Sequence, residues 1–150
     1  MAMTMNGEVI LPADKATVWA KLNDAETLKQ SIPGCQALEK TSDTSFSATA
    51  KVKLGPVSAT FRGKVNLEDL DPPNGYRIVG EGEGGVAGFA KGGATVKLSD
   101  DPGGTKLSYD VEAQIGGKLA QLGARLINGV AKKMADEFFA KFAEAVKAGR

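Results

Sequence analysis

The feature that most constrains this chain is a change of hydrophobic period. Between Phe46 and Ile115 apolar and small residues recur at every second position, in runs broken by turn residues; from Leu122 to Val146 they recur at every fourth. Phe46, Ala48, Ala50, Val52 and Leu54 alternate with Ser, Thr and Lys, and Val57, Ala59, Phe61, Gly63, Val65 and Leu67 follow a Gly55-Pro56 turn. Tyr76, Ile78, Gly80 and Gly82 open the next run, Ala94, Val96 and Leu98 continue it, and Leu107, Tyr109, Val111, Ala113 and Ile115 close it. Alternation of this kind marks strands with one face buried and one wet. The turns at Asp71-Pro72-Pro73-Asn74-Gly75 and Asp100-Asp101-Pro102-Gly103-Gly104 are short, which predicts an antiparallel meander.

After Gly116-Gly117 the spacing predicts one long helix from about Lys118 to about Val146, roughly 45 Å at 1.5 Å per residue. Its apolar positions are Leu122, Leu126, Val130, Met134, Phe138, Phe142 and Val146. A four-residue step overshoots a helical turn by about 40°, so the stripe winds, as suits a helix gripped by a curled sheet. Before the meander, Met3 to Leu11 reads as a strand, Asp14 as the cap of a short helix carrying Val18, Trp19 and Leu22, and Asn23-Asp24-Ala25-Glu26 as the start of a second one carrying Leu28 and Ile32 and stopped by Pro33-Gly34. The expected fold is α+β: a curved antiparallel sheet of about seven strands around a long C-terminal helix, with two short helices after strand 1. It forms a single domain over residues 1–150, with no repeat or linker.

The inward phase of this sheet is small at its centre, with Ala48, Ala50, Ala59, Gly63, Gly80, Gly82, Ala94 and Ala113, and Gly123 interrupts the helix stripe. Close-packed interiors need large partners opposite small ones, so the pattern predicts either a close-lying helix or a hollow for an apolar ligand. The residues expected to line the hollow are Ala50, Val52, Phe61, Gly63, Tyr76, Ile78, Phe89, Tyr109, Val111, Leu122, Leu126 and Val130. Tyr76 and Tyr109 would supply hydroxyls, unless they are core-edge tyrosines. Phe89 would sit at the tip of a flexible glycine-rich hairpin, Gly80 to Gly93, at the mouth.

Composition removes several classes of function. The chain has no histidine, which excludes Ser-His-Asp and Cys-His catalysis and His-ligated metals, and its one cysteine, Cys35, excludes an internal disulfide framework. Cys35 has no cationic neighbour in sequence and reads as a buried, inert thiol. Nineteen Lys and Arg against 18 Asp and Glu leave a net charge of +1, which argues against nucleic acid as a partner. Met1 to Val9 lacks a signal pattern, and no run approaches the roughly 20 apolar residues of a membrane span, so a soluble, cytoplasmic chain is expected, with membrane contact at most peripheral, at the inner face. Gly80 to Gly85 matches G-x-G-x-x-G, but a strand-like stretch follows where a dinucleotide site needs a helix. Glu81 and Glu83 share one strand face and read as solvated, as do Lys132, Lys133 and Lys141 on the helix. No cofactor, metal or catalytic residue is expected.

An ordered set of motifs carries a family resemblance. Leu11-Pro12-Ala13-Asp14, Val18-Trp19, Leu22-Asn23-Asp24, Ile32-Pro33-Gly34-Cys35, Val52-Lys53-Leu54-Gly55-Pro56-Val57, Asp71-Pro72-Pro73, Gly82 to Gly92, Gly116 to Gly123 and Val130 to Asp136 together resemble the carbon monoxide dehydrogenase G-subunit family, within the START-like (SRPBCC) helix-grip superfamily. The resemblance spans nearly the whole chain. It implies an accessory protein, not an enzyme, that serves a molybdenum hydroxylase of carbon monoxide dehydrogenase type. Such a protein would bind a quinone- or lipid-like molecule, or would assemble or recruit that enzyme to the membrane with no ligand role. Longer members carry a C-terminal tail suited to membrane attachment, whereas this sequence ends at Arg150. Relatives of the fold include cyclases and hydrolases; here acid-base work would fall to Glu81, Glu83, Tyr76 or Tyr109.

Overall fold

The computed structural model describes residues 1–148; Gly149 and Arg150 lie outside the described residues. The period-two stretch becomes consecutive antiparallel strands: β2 (Cys35–Ser42), β3 (Ser45–Leu54), β4 (Val57–Asp71), β5 (Gly75–Glu83), β6 (Phe89–Asp101) and β7 (Gly104–Gly116). The first strand, β1 (Ala2–Leu11), pairs with β7, so the seven strands run in the order β1-β7-β6-β5-β4-β3-β2. The register places Met3, Met5, Val9 and Leu11 on the same face as Ala113, Val111, Leu107, Ala94, Val96 and Leu98, and this is the face buried against the helices. The opposite face carries alternating charge across strands, as in Lys64, Glu81 and Lys91 on one rung and Arg62 and Glu83 on the next.

Two short helices, α1 (Lys15–Leu22) and α2 (Ala25–Ser31), follow β1. Asp14 caps the first by accepting from the Thr17 N–H at 2.8 Å. The second is capped by Asp24, within the stretch read as its start; its carboxylate accepts from the Thr27 N–H at 3.2 Å and the Thr27 hydroxyl at 2.6 Å. The buried polar residues of α2 are satisfied locally, the Ser31 hydroxyl donating to the Thr27 carbonyl at 2.8 Å.

The predicted single helix is broken. α3 (Lys118–Gln121) is one turn long, and α4 (Ala124–Ala148) begins after Gly123, whose φ of +88° no side-chain-bearing residue adopts cheaply. A side chain at Gly123 would meet nothing within 4 Å, so the glycine answers to backbone conformation and not to close packing. At 25 residues α4 is still roughly 37 Å long.

The interior divides in two. Leu11, Val18, Leu107, Phe142 and Val146 are almost wholly inaccessible and form one cluster with Phe46, Leu67, Tyr76, Val96 and Leu98. Aromatic rings tie it together: Trp19 meets Tyr76 edge-on at 5.1 Å, Tyr109 stacks on Phe139 at 5.3 Å, and Phe138 stacks on Phe142 at 5.5 Å. The second cluster is smaller, with Met3, Leu54, Ile115, Leu119 and Ile127 at its centre.

Candidate functional site

Between the two clusters the inner sheet face is made of glycine and alanine. Cross-strand pairing sets Ala48 beside Gly63, Gly63 beside Gly82, and Gly82 beside Ala90; one rung along, Gly80 pairs with Gly92 and Gly92 with Ala113. A hollow of about 300 Å³ opens over this tract, bordered by Val65, Ile78, Ala94 and Val111, and the side chains on this face are all apolar. Glu81, Lys91 and Glu112 belong to the same strands but in the opposite phase, so they contribute backbone there and place their charges outside. A groove of about 520 Å³ on the convex face is larger, but Arg62, Lys64, Glu81 and Glu83 line it and make it a wet, charged surface.

The glycines of the tract do different work. A Cβ at Gly92 would run into the carbonyl oxygen of Glu112, and one at Gly63 would stand 2.7 Å from that of Glu81. There the neighbouring strand bends so close that only glycine fits, so these two residues serve the curl of the sheet. Gly82 is unlike them: its nearest heavy atom would be the Arg62 carbonyl oxygen at 3.8 Å, an ordinary contact. Among the described residues nothing requires a glycine at position 82, and the space in front of it is open.

The expected lining residues separate into groups. Ile78 and Val111 border the hollow, and Gly63 lies on its floor rung. Ala50, Val52 and Phe61 share the inner phase of β3 and β4 toward the second cluster, where Val52, Phe61, Leu122 and Val130 pack. Leu126 turns aside: its Cδ2 lies 3.0 Å from where a Gly55 Cβ would stand, against the tip of the β3–β4 hairpin. Tyr76 and Tyr109 fall in the inner phase but in the closed half. Tyr76 is 6% exposed beside Trp19, and burial pushes its phenol pKa well above the usual value; Tyr109 fills the space left by Gly7. Neither hydroxyl borders the hollow.

Phe89 lies in the outer phase, across from Gly116 and paired with Glu83, and is 42% exposed. The glycine-rich hairpin is mostly strand, and its loop shrinks to Gly84–Gly88, including a 3₁₀ turn at Gly85–Ala87. That turn buries Ala87, packs on β4 and α3, and presents Val86 outward at 86% exposure. Val65, Gly80, Gly82, Ala90, Gly92, Ala94 and Ala113 are inward lining residues the expected set omitted; their inward phase was the available signal. Cys35 is half-buried; its thiol donates to the Ala37 carbonyl at 3.4 Å, and burial pushes its pKa up. Among the described residues no group of acidic, cysteine or histidine side chains could hold a metal, and no helix is long and apolar enough to cross a membrane.

A curled seven-stranded antiparallel sheet closed on a long C-terminal helix, with two short helices after the first strand, defines a START-like (SRPBCC) helix-grip protein. The chain belongs to the carbon monoxide dehydrogenase G-subunit (CoxG) family, whose model matches residues 7–147. A conserved protein from Geobacillus kaustophilus has a similar crystal structure, with 30% identity, a TM-score of 0.90, and 97% of this chain and 96% of that one covered. Ara h 8.0201 is similar at 16% identity and a TM-score of 0.69 over 99% of each chain. The Zhui aromatase/cyclase from Streptomyces sp. R1128 is similar at 10% identity and 0.67, with 98% and 94% covered. These last two likenesses concern the fold alone. No curated protein matches the chain.

Proposed function

We propose that this chain is a carrier. It holds a quinone- or lipid-like molecule in the hollow between the inner sheet face and α4, as an accessory protein of a molybdenum hydroxylase of carbon monoxide dehydrogenase type. The observation that carries the reading is Gly82, where a side chain would meet no obstacle and none is present, at the centre of an apolar hollow of about 300 Å³. That volume is at the lower end of small-molecule pockets, and such pockets are lined mainly by apolar groups. Family membership supports the dehydrogenase as the partner class.

The site offers no chemistry of its own. The carboxylates Glu81 and Glu83 lie on the convex face, and the two tyrosines lie in the closed half. Binding and release of an apolar molecule is what the arrangement suits; the hydroxylase would perform the reaction.

The test is native mass spectrometry of the chain purified from its own host, followed by solvent extraction. An apolar molecule at one per chain is the expected result, and a quinone among the extracts would tie the carrier to electron transfer. A chain that stays empty when titrated with menaquinone, ubiquinone and phospholipid would end the carrier reading.

A further inference from the structure

The outer side of α4 carries a second surface, separate from the hollow. The four-residue stripe drifts about 40° per step, so by Leu126 it has turned roughly 160° from the direction of the buried Phe142. Ile127 takes over the core contact there, 4% exposed, and the stripe emerges at the side as a groove of about 580 Å³ floored by Leu122, Leu126 and Val130. Arg125, Gly129 and Lys133 form the adjoining row at four-residue spacing, a cation at each end and a gap between.

Two observations ask for an outside partner. Gly129 has ordinary helical φ and no described residue within 4 Å of a would-be Cβ, so among the described residues neither backbone conformation nor packing calls for a residue that weakens a helix interior. The charged residues that line the groove, Arg125 and Lys133, have one sign, and the Gly55 turn abuts it at Leu126. Among the described residues neither Arg125 nor Lys133 has a carboxylate in ion-pair reach.

We propose that this groove docks an acidic amphipathic helix of a partner protein. Its apolar side chains would rest on Leu122, Leu126 and Val130, its backbone would cross close over Gly129, and its carboxylates would meet Arg125 and Lys133. A groove with a central gap suits a ridge of side chains better than a flat bilayer. The chain does contain an acidic apolar knob, Leu70 among Glu68, Asp69 and Asp71, 41% exposed. Docking that knob into the groove of another copy would be heterologous, forming a ring or an open chain of copies and not a two-fold dimer. A foreign helix needs no such symmetry and is the occupant proposed. The inference stands apart from the carrier reading, since filling the hollow leaves this surface intact.

The test uses the full chain and a fluorescent synthetic helix with leucines at four-residue spacing flanked by glutamates. Fluorescence anisotropy should report binding that weakens with salt and falls by about tenfold or more in the Arg125→Glu/Lys133→Glu variant. Gly129→Ala should raise the melting temperature yet weaken the same binding, a combination that general damage to the fold cannot produce. A peptide with lysine in place of glutamate should not bind. Absence of glutamate-peptide binding, or equal binding of both peptides, overturns the proposal. So does binding unaffected by Gly129→Leu and charge reversal. Charge-dependent sedimentation with phosphatidylglycerol vesicles without peptide binding would reassign the groove to a membrane surface. Self-association abolished by Leu70→Asp would reassign it to a second copy.

Discussion

The two halves of the interior share strands and helix but are filled differently. In the half toward the end of α4, every inward position meets a large partner: Phe142 and Val146 come from the helix, Leu11 and Leu107 from β1 and β7, and Val18 from α1, with aromatic pairs bridging them. In the other half, between this cluster and the smaller one around Leu54 and Ile115, the inward residues of β4 to β7 shrink to glycine and alanine, and the helix turns part of its apolar stripe away from them. A close-packed half carries the stability and an underfilled half leaves the space, so the volume proposed for a ligand comes without a defect in the part that holds the fold. The comparison can be broken by substitutions that move the two properties in the wrong combination.

The largest effect belongs to the closed half. Phe142→Ala removes a fully buried ring stacked on Phe138 and should cost about 3–5 kcal/mol, a fall in Tm of roughly 10 °C by calorimetry, while the folded fraction keeps its ligand. A loss of ligand at unchanged stability would mean that the hollow extends into the closed half.

A pair of glycines one rung apart gives the next contrast. Gly92→Ala puts a methyl against the Glu112 carbonyl and should cost about 1–3 kcal/mol in urea unfolding. Gly82→Ala should change stability by less than about 0.5 kcal/mol, and Gly82→Leu should leave the chain folded but displace the extractable ligand. If Gly82→Leu unfolds the chain as readily as Gly92→Ala does, the space before Gly82 is a packing requirement and the contrast between the halves disappears.

The element order was legible because alternation, turns and caps all speak through local sequence, as at Gly55-Pro56 and Asp14. Four features were not. The helix break at Gly123 depends on a positive φ, and a lone helical glycine leaves its conformation unannounced. Four-residue spacing pointed to Leu126 for the core, whereas Ile127 lies nearer the helix face that Phe142 occupies; a wheel drawn from the buried end would have found it. The phase of Phe89 depends on register across a loop containing three glycines, where no alternation survives to be read. The tyrosines were placed on the correct face, but how far along the sheet the hollow extends is set by sheet curl, which Gly63 and Gly92 permit through contacts invisible in sequence.

A modest effect sharpens the same division from outside the core. Asp24 caps α2, the helix packed against α4, and its hydrogen bonds to Thr27 hold its carboxyl below the usual pKa of 3.8. A carboxyl depressed in the folded state contributes stability above its unfolded pKa and loses it as pH falls through the folded value. Asp24→Ala should therefore cost about 1 kcal/mol at pH 7, with the difference from wild type shrinking below about pH 4. Ligand content should not change, because α2 supports the closed half. Matched urea titrations at pH 7 and pH 3 check the sign: a gap that widens on acidification would mean the cap is not what Asp24 supplies. A gap that closes while the ligand stays bound would separate the helix-supported half from the one that carries cargo.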